Sequence, residues 1–217
     1  MKSFSSRVKN KNFRKLKDKP LWRWTVDTVI ESKLFDTIFL STDNLDLVKD
    51  FNYISVKKIK RPKELCQPNI HAIDVVFNIL NQLDNISDND NIFLLLPTSP
   101  FRSVASLKKT YKLLENNAKS VIAIARASKG SNSYRTLKKN TNIINLNPDI
   151  NLHRQSSDYE EYVVTGSLFA SKYKSLCLHR SFHQEEGIGI IVSEFEAIDI
   201  NTELDLLTAS VYAKEKL

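Results

Sequence analysis

Ile92-Phe93-Leu94-Leu95-Leu96, followed at once by Pro97-Thr98-Ser99-Pro100-Phe101-Arg102, is the stretch on which the fold turns. Five consecutive apolar residues show no in/out alternation, so they read as a strand covered on both faces. Thr37–Leu40 (TIFL) and Val121–Ala125 (VIAIA) have the same character. Between these runs the apolar spacing becomes helical. Pro20–Ser32 opens with proline, which the first turn of a helix accepts. Ile70–Leu83 carries Ile73, Val76, Phe77 and Leu80 along one face, and Ser103–Leu114 carries Val104, Leu107, Tyr111 and Leu114. The alternation predicts an α/β sheet with helices on its faces.

Further along, Tyr162–Ala170, Gly189–Val192 and Ala197–Ile200 read as strands. A last helix begins at Thr202, where Thr202 and Asp205 have the spacing of a capping box ahead of Leu206 and Leu207. From about residue 129 to 160 the pattern loosens into Asn, Ser and Lys, with only weak strand-like pieces such as Ile143–Leu146. That segment reads as an insertion or β-rich arm of a single domain spanning 1–217.

Composition narrows the classes. The chain has 217 residues, 41% hydrophobic and 26% charged, as in ordinary globular domains. No apolar run approaches the ~20 residues of a membrane span, and no apolar leader follows the basic N-terminus. A cytoplasmic protein without a membrane partner is the expectation. Cys66 and Cys177 lie far apart, and His71, His153, His179 and His183 are scattered, so neither a disulfide framework nor a zinc site is expected. His179 and His183 share a face only if that stretch is helical.

The net charge is +7. Arg7–Pro20 (RVKNKNFRKLKDKP) holds seven of the basic residues, and Lys57, Lys58, Lys60, Arg61 and Lys63 form a second cluster. No DNA-binding motif or aromatic-interleaved basic face accompanies them. The pair suits one polyphosphate ligand better than nucleic acid. In open α/β sheets, ligands sit beyond the carboxyl ends of the strands. Polar words fall there: Ser41-Thr42-Asp43, Pro97–Arg102, Arg126-Ala127-Ser128 and Asp199-Ile200-Asn201. Each one alone is an ordinary cap; four together suggest one rim.

In order along the chain, KNKNFRKLKDKPLWRWTVDTVIESKLFDTIFLSTD, RPKEL, LLPTSPFRS, YVVTG and IDINTELDL resemble the cytidylyltransferases that activate sialic acid and related nine-carbon acidic sugars. The likeness runs from about Lys9 to Leu206. It implies a Rossmann-like nucleotidyltransferase fold with a mixed, mostly parallel sheet and a β-rich arm that forms a homodimer. It also implies a reaction joining the sugar 2-hydroxyl to the α-phosphate of CTP with release of pyrophosphate, Mg2+ being present. Carried over residue by residue, Lys11 holds the triphosphate, with Arg7 as a second charge. Asn12 and Arg61 contact the base. Thr98, Ser99, Arg102, Thr165 and Gly166 fall in the sugar-binding words. Asp199 and the residue two further on, Asn201, take the family's paired metal positions, where the family has a second aspartate.

Other departures accompany Asn201. Leu96 stands where the family has a glutamine, Ala72 where it has a serine, and Val163 or Val164 near its carboxylate-binding arginine. The family's opening strand and glycine-bearing phosphate loop would precede Arg7, where this chain reads MKSFSS, so that strand is expected to be missing. Two further readings stay open: a family member that keeps the fold without turnover, and a basic nucleic-acid-binding protein.

Overall fold

The computed structural model describes residues 1–2, 8–128, 135–137, 143–145 and 160–216. In chain order the elements are β1 (Lys15–Leu16), β2 (Lys19–Pro20), α1 (Leu21–Ser32), β3 (Ile38–Thr42), β4 (Val56–Lys60), α2 (Ala72–Leu80), β5 (Asn91–Leu94), α3 (Val104–Glu115) and β6 (Ser120–Arg126). They continue with β7 (Arg135–Leu137), β8 (Ile143–Asn145), β9 (Tyr162–Lys172), α4 (Tyr173–His179), β10 (Ile188–Ile191) and α5 (Glu203–Lys216). Short 3-10 turns cover Lys11–Phe13, Leu45–Val48 and Lys63–Cys66.

The continuous apolar runs do what their pattern demands, because successive strand residues point to opposite faces. Phe93 and Leu95, Val121, Ala123 and Ala125, and Leu168 and Ala170 go to one face. There they pack with Val29 of α1 and with Leu107 and Leu114 of α3. Ile92, Leu94, Ile122 and Phe169 go to the other face, against Phe77 and Leu80 of α2 and Leu176 of α4. Helices therefore cover both sides. Leu107, Leu114 and Leu168 are fully buried, and each such leucine contributes about 1.5–3 kcal/mol relative to an exposed one.

The principal sheet has the order β10-β6-β9-β5. β10 is parallel to β6, whereas β9 runs antiparallel to both β6 and β5. β3 and β4 form a separate parallel pair. The sheet is mixed as expected, with a smaller parallel share than expected, because side-chain pattern reports burial and not strand direction. Phe35 and Phe93 touch edge to face, centroids 5.0 Å apart, and Ile38 of β3 packs, partly buried, against the same core.

One expectation needs correction. Ala197–Ile200 is not a strand: Ala197 closes a turn and the next three residues join no ladder, Ile200 N–H donating to the Thr98 carbonyl (2.8 Å). A loop offers no ladder, so no strand forms. The second basic cluster falls on and just beyond a strand: Lys57, Lys58 and Lys60 lie on β4, and Lys58 Nζ donates to the Lys49 carbonyl (3.0 Å) and to Asn52 Oδ1 (3.1 Å). His179 ends α4 and His183 lies beyond Arg180, whose left-handed φ of 47° stops the helix, so the two histidines share no helix face.

The arm expected at about 129–160 lies largely outside the described residues. Within it, β7 and β8 pair antiparallel. No helix among the described residues is long and apolar enough to cross a membrane.

Candidate active site

The site is assembled from chain segments remote in sequence. Lys11 sits in the 3-10 turn after the basic N-terminal stretch and is 91% buried, so it is not a solvated lysine. Its Nζ donates to the Ile200 carbonyl (2.7 Å) and to Asn201 Oδ1 (3.4 Å). Asn201 Nδ2 in turn donates to Asp199 Oδ2 (2.6 Å). Val8, Leu16, Trp24, Phe101, Ile200 and Leu206 form the apolar cluster behind this contact. It joins the β1–β2 hairpin, α1 and α5, and so brings the two ends of the chain together.

The Pro97–Arg102 loop reaches the same place through the Thr98 carbonyl, which accepts from Ile200 N–H. A bulge in β9 completes the wall. Opposite Ile122 stands Phe169, but opposite Ile124 stands Val164, so extra β9 residues bow out between them. Such bulges re-aim residues beside active sites. Here the bow carries Gly166 to the site. A Cβ on Gly166 would meet Ser99 Oγ at 3.0 Å and Asp199 Oδ1 at 3.5 Å. Ser99 Oγ and Asp199 Oδ1 are both buried without a hydrogen-bond partner. Unsatisfied buried polar atoms facing a small cradle call for a ligand, an ion or a water.

Asp205 anchors the loop from below. Its Oδ2 accepts from the backbone N–H groups of Asn201 (2.8 Å) and Thr202 (2.7 Å). Partial burial pushes its pKa up, but these hydrogen bonds and the Lys11 charge outweigh that and hold it below the ordinary aspartate value.

The other expected site residues fall into two groups. Asn12 and Arg61 lie beside the first two residues of the chain. Asn12 Nδ2 donates to the Lys2 carbonyl (3.2 Å), and the Met1 amino group donates to the Ser41 carbonyl. Arg61 Nε donates to Ser41 Oγ (3.2 Å), and burial pulls the Arg61 pKa down, against the pull of Cys66 and Asp43. Since Asn12 adjoins Lys11, this line of contacts runs on from the first.

Arg102 and Thr165 point inward. Arg102 is 97% buried; it donates to the Ser167 carbonyl, Thr25 Oγ1 (3.1 Å) and the Leu96 carbonyl (3.2 Å). Burial lowers its pKa to about 9 against the pull of Glu196. Thr165 Oγ1 donates to the Ala123 carbonyl (3.2 Å). Arg126 pairs with Glu160 at an exposed position (2.7 Å). Arg7 lies outside the described residues. Thr25 and Glu196, which serve Arg102, carry no local sequence signal: each gains its role from where the chain folds.

For a divalent ion, the donor set fits attachment through one carboxylate. Magnesium is commonly held by one or two protein carboxylates plus phosphate oxygens, and Asp199 Oδ1 is such an uncommitted oxygen. No group of three or more His, Cys, Asp or Glu residues suited to a metal occurs among the described residues. The larger of two described cavities, about 420 Å3, lies elsewhere, beside Pro62, Phe77 and Arg180.

The chain matches the family model described as Cytidylyltransferase over residues 1–216. It is similar to the N-acylneuraminate cytidylyltransferase of Escherichia coli O18:K1:H7, with 24% identity across 99% of this chain and 51% of that one. It is also similar to the CMP-N,N'-diacetyllegionaminic acid synthase of Legionella pneumophila, with 25% identity across 93% of this chain and 88% of that one. The chain thus spans about half the length of the E. coli relative. Among solved structures, a CMP:2-keto-3-deoxy-manno-octonic acid synthetase complexed with CTP superposes with a TM-score of 0.71. That match has 10% identity and covers 100% of this chain and 97% of that one, a likeness of fold. With the match running from Met1 to Lys216, this chain belongs to the cytidylyltransferase family.

Proposed function

We propose that the protein transfers CMP from CTP to an acidic nine-carbon sugar of the sialic, legionaminic or pseudaminic acid type. The sugar 2-hydroxyl oxygen attacks the α-phosphorus of CTP, the bond to the bridging oxygen of the β-phosphate breaks, and pyrophosphate leaves. Such chemistry depends on positioning and on neutralising phosphate charge. The observation that carries the reading is the Lys11 ammonium held against Ile200 and Asn201, beside Asp199. A buried cation and an uncommitted carboxylate oxygen at one point suit a triphosphate with its metal. Family membership supports CTP as donor, and the E. coli and Legionella relatives support the sugar class.

Lys11 would neutralise phosphate oxygens, and Asn12 and Arg61 would line the nucleotide side. Thr98, Ser99 and Gly166 would border the reacting centre, while Arg102 and Thr165 hold the walls that carry them. Asp199 would hold Mg2+, which when bound neutralises charge on the triphosphate. The same reading includes a homodimer and a cytoplasmic location, which the family resemblance of the sequence supports.

The test is pyrophosphate release with Mg2+, CTP and a panel of nine-carbon acidic sugars, under conditions where an established synthetase turns over. Release is expected with at least one sugar, and Lys11→Met and Asp199→Asn are expected to lower it by about 100-fold or more. No release above blank from the whole panel would falsify the reading. Light scattering of the same preparation tests the dimer; a monomer mass would remove it.

A further inference from the structure

The sequence likeness puts Asn201 at a metal position, yet its polar atoms are already committed. Nδ2 donates to Asp199 Oδ2 (2.6 Å), and Oδ1 faces the Lys11 ammonium at 3.4 Å. Chemistry fixes this amide orientation. A carboxylate only accepts and an ammonium only donates, so the reverse placement would set oxygen against oxygen and nitrogen against nitrogen. The backbone is held as well, because Asn201 N–H donates to Asp205 Oδ2 (2.8 Å). The residue therefore has little freedom to swing its oxygen away from Lys11.

We propose that Asn201 is a positioning residue and not a metal ligand: its amide joins the Asp199 carboxylate to the Lys11 ammonium, doing internally what a divalent ion does between two carboxylates. Tying Asp199 Oδ2 leaves Oδ1 as the single uncommitted oxygen, next to the Gly166 cradle. One carboxylate oxygen is a poor site for free magnesium, which dehydrates reluctantly. Asp199 would therefore hold Mg2+ only together with triphosphate oxygens, and Asn201 and Asp205 would keep that carboxylate and its loop in place. This goes beyond the proposed activity and rests on it only for the role of Asp199; the hydrogen bonds stand without any substrate.

The experiment uses the full chain with magnesium alone, with neither CTP nor sugar, so its outcome is independent of whether CMP transfer occurs. Asn201→Asp keeps size and oxygen but removes the N–H, setting two carboxylates side by side with the single Lys11 ammonium against one of them, an excess of negative charge that a divalent ion relieves. A ligand that binds only the folded state raises the melting temperature. Millimolar Mg2+ is therefore expected to raise the melting temperature of Asn201→Asp by several degrees and to leave the wild type within one degree. In the wild type, the Asn201 side-chain amide protons are expected to exchange slowly with solvent by NMR, with or without Mg2+. Their protection should disappear in Asp199→Ala. Equal stabilisation of wild type and Asn201→Asp, no stabilisation of Asn201→Asp, or freely exchanging Asn201 amide protons would each overturn the proposal. If Asn201→Asp does not fold, exchange in the wild type decides alone.

Discussion

A methyl group on residue 166 would lie 3.0 Å from Ser99 Oγ and 3.5 Å from the Asp199 carboxylate. The glycine is needed there for space and not for backbone freedom, since no glycine among the described residues has a positive φ. Gly166→Ala should therefore act as local overpacking, costing about 1–3 kcal/mol. Ser99 Oγ makes no hydrogen bond, so Ser99→Ala alone should be close to neutral. Urea unfolding of the two single variants and the double variant checks the pair. The double is expected to regain most of the stability lost by Gly166→Ala, and additive losses would show that the crowding lies elsewhere. At this scale Lys11, Asp199 and Asn201 were legible as candidates because their words stand out in the chain. Their mutual hydrogen bonds were not, since Lys11 and Asn201 are 190 residues apart.

α5 shows how far a local motif carries. Thr202 Oγ1 accepts from Asp205 N–H (3.2 Å) while Asp205 Oδ2 accepts from Thr202 N–H (2.7 Å), the reciprocal cap that the spacing predicts. Asp205 also reaches Asn201, so the cap doubles as the floor of the site. Thr202→Ala should cost about 1 kcal/mol. The Asp205 pKa is lower folded than unfolded, so its stabilisation is full above the unfolded value, about 3.9, and is lost as pH falls through the folded value. The stability difference between wild type and Asp205→Ala should hold near neutral pH and shrink as the solution is acidified below about pH 4. A difference constant down to the acid transition would remove the carboxylate from the cap. Capping is readable because it spans four residues. The strand expected at Ala197–Ile200 failed because strands need partners, and its neighbour is the Thr98 loop.

Across the whole molecule, Arg102 is the tie between layers. One guanidinium holds the Ser167 carbonyl on β9, the Thr25 hydroxyl on α1 and the Leu96 carbonyl just beyond β5. Its charge is buried, with burial drawing the pKa down to about 9. Removing it leaves a cavity and unpaired acceptors together, so Arg102→Ala should lose about 3–5 kcal/mol. Arg102→Met, which refills the volume, should lose clearly less. Chemical denaturation of both variants gives the answer; equal losses would mean that the hydrogen bonds, and not the filled space, hold the layers together.

By itself the sequence determined the α/β class, the starts of α1, α2, α3 and α5 to within two residues, the apolar strands β3, β5 and β6, and the family likeness, but not α4. Each follows from periodicity, capping or short words that act within a few residues. Tertiary structure alone decided the direction of β9, the separate β3–β4 pair, the inward turn of Arg102 and the engagement of both polar atoms of Asn201. Those depend on which distant groups the folded backbone brings within hydrogen-bond reach, and no local pattern of residues encodes that.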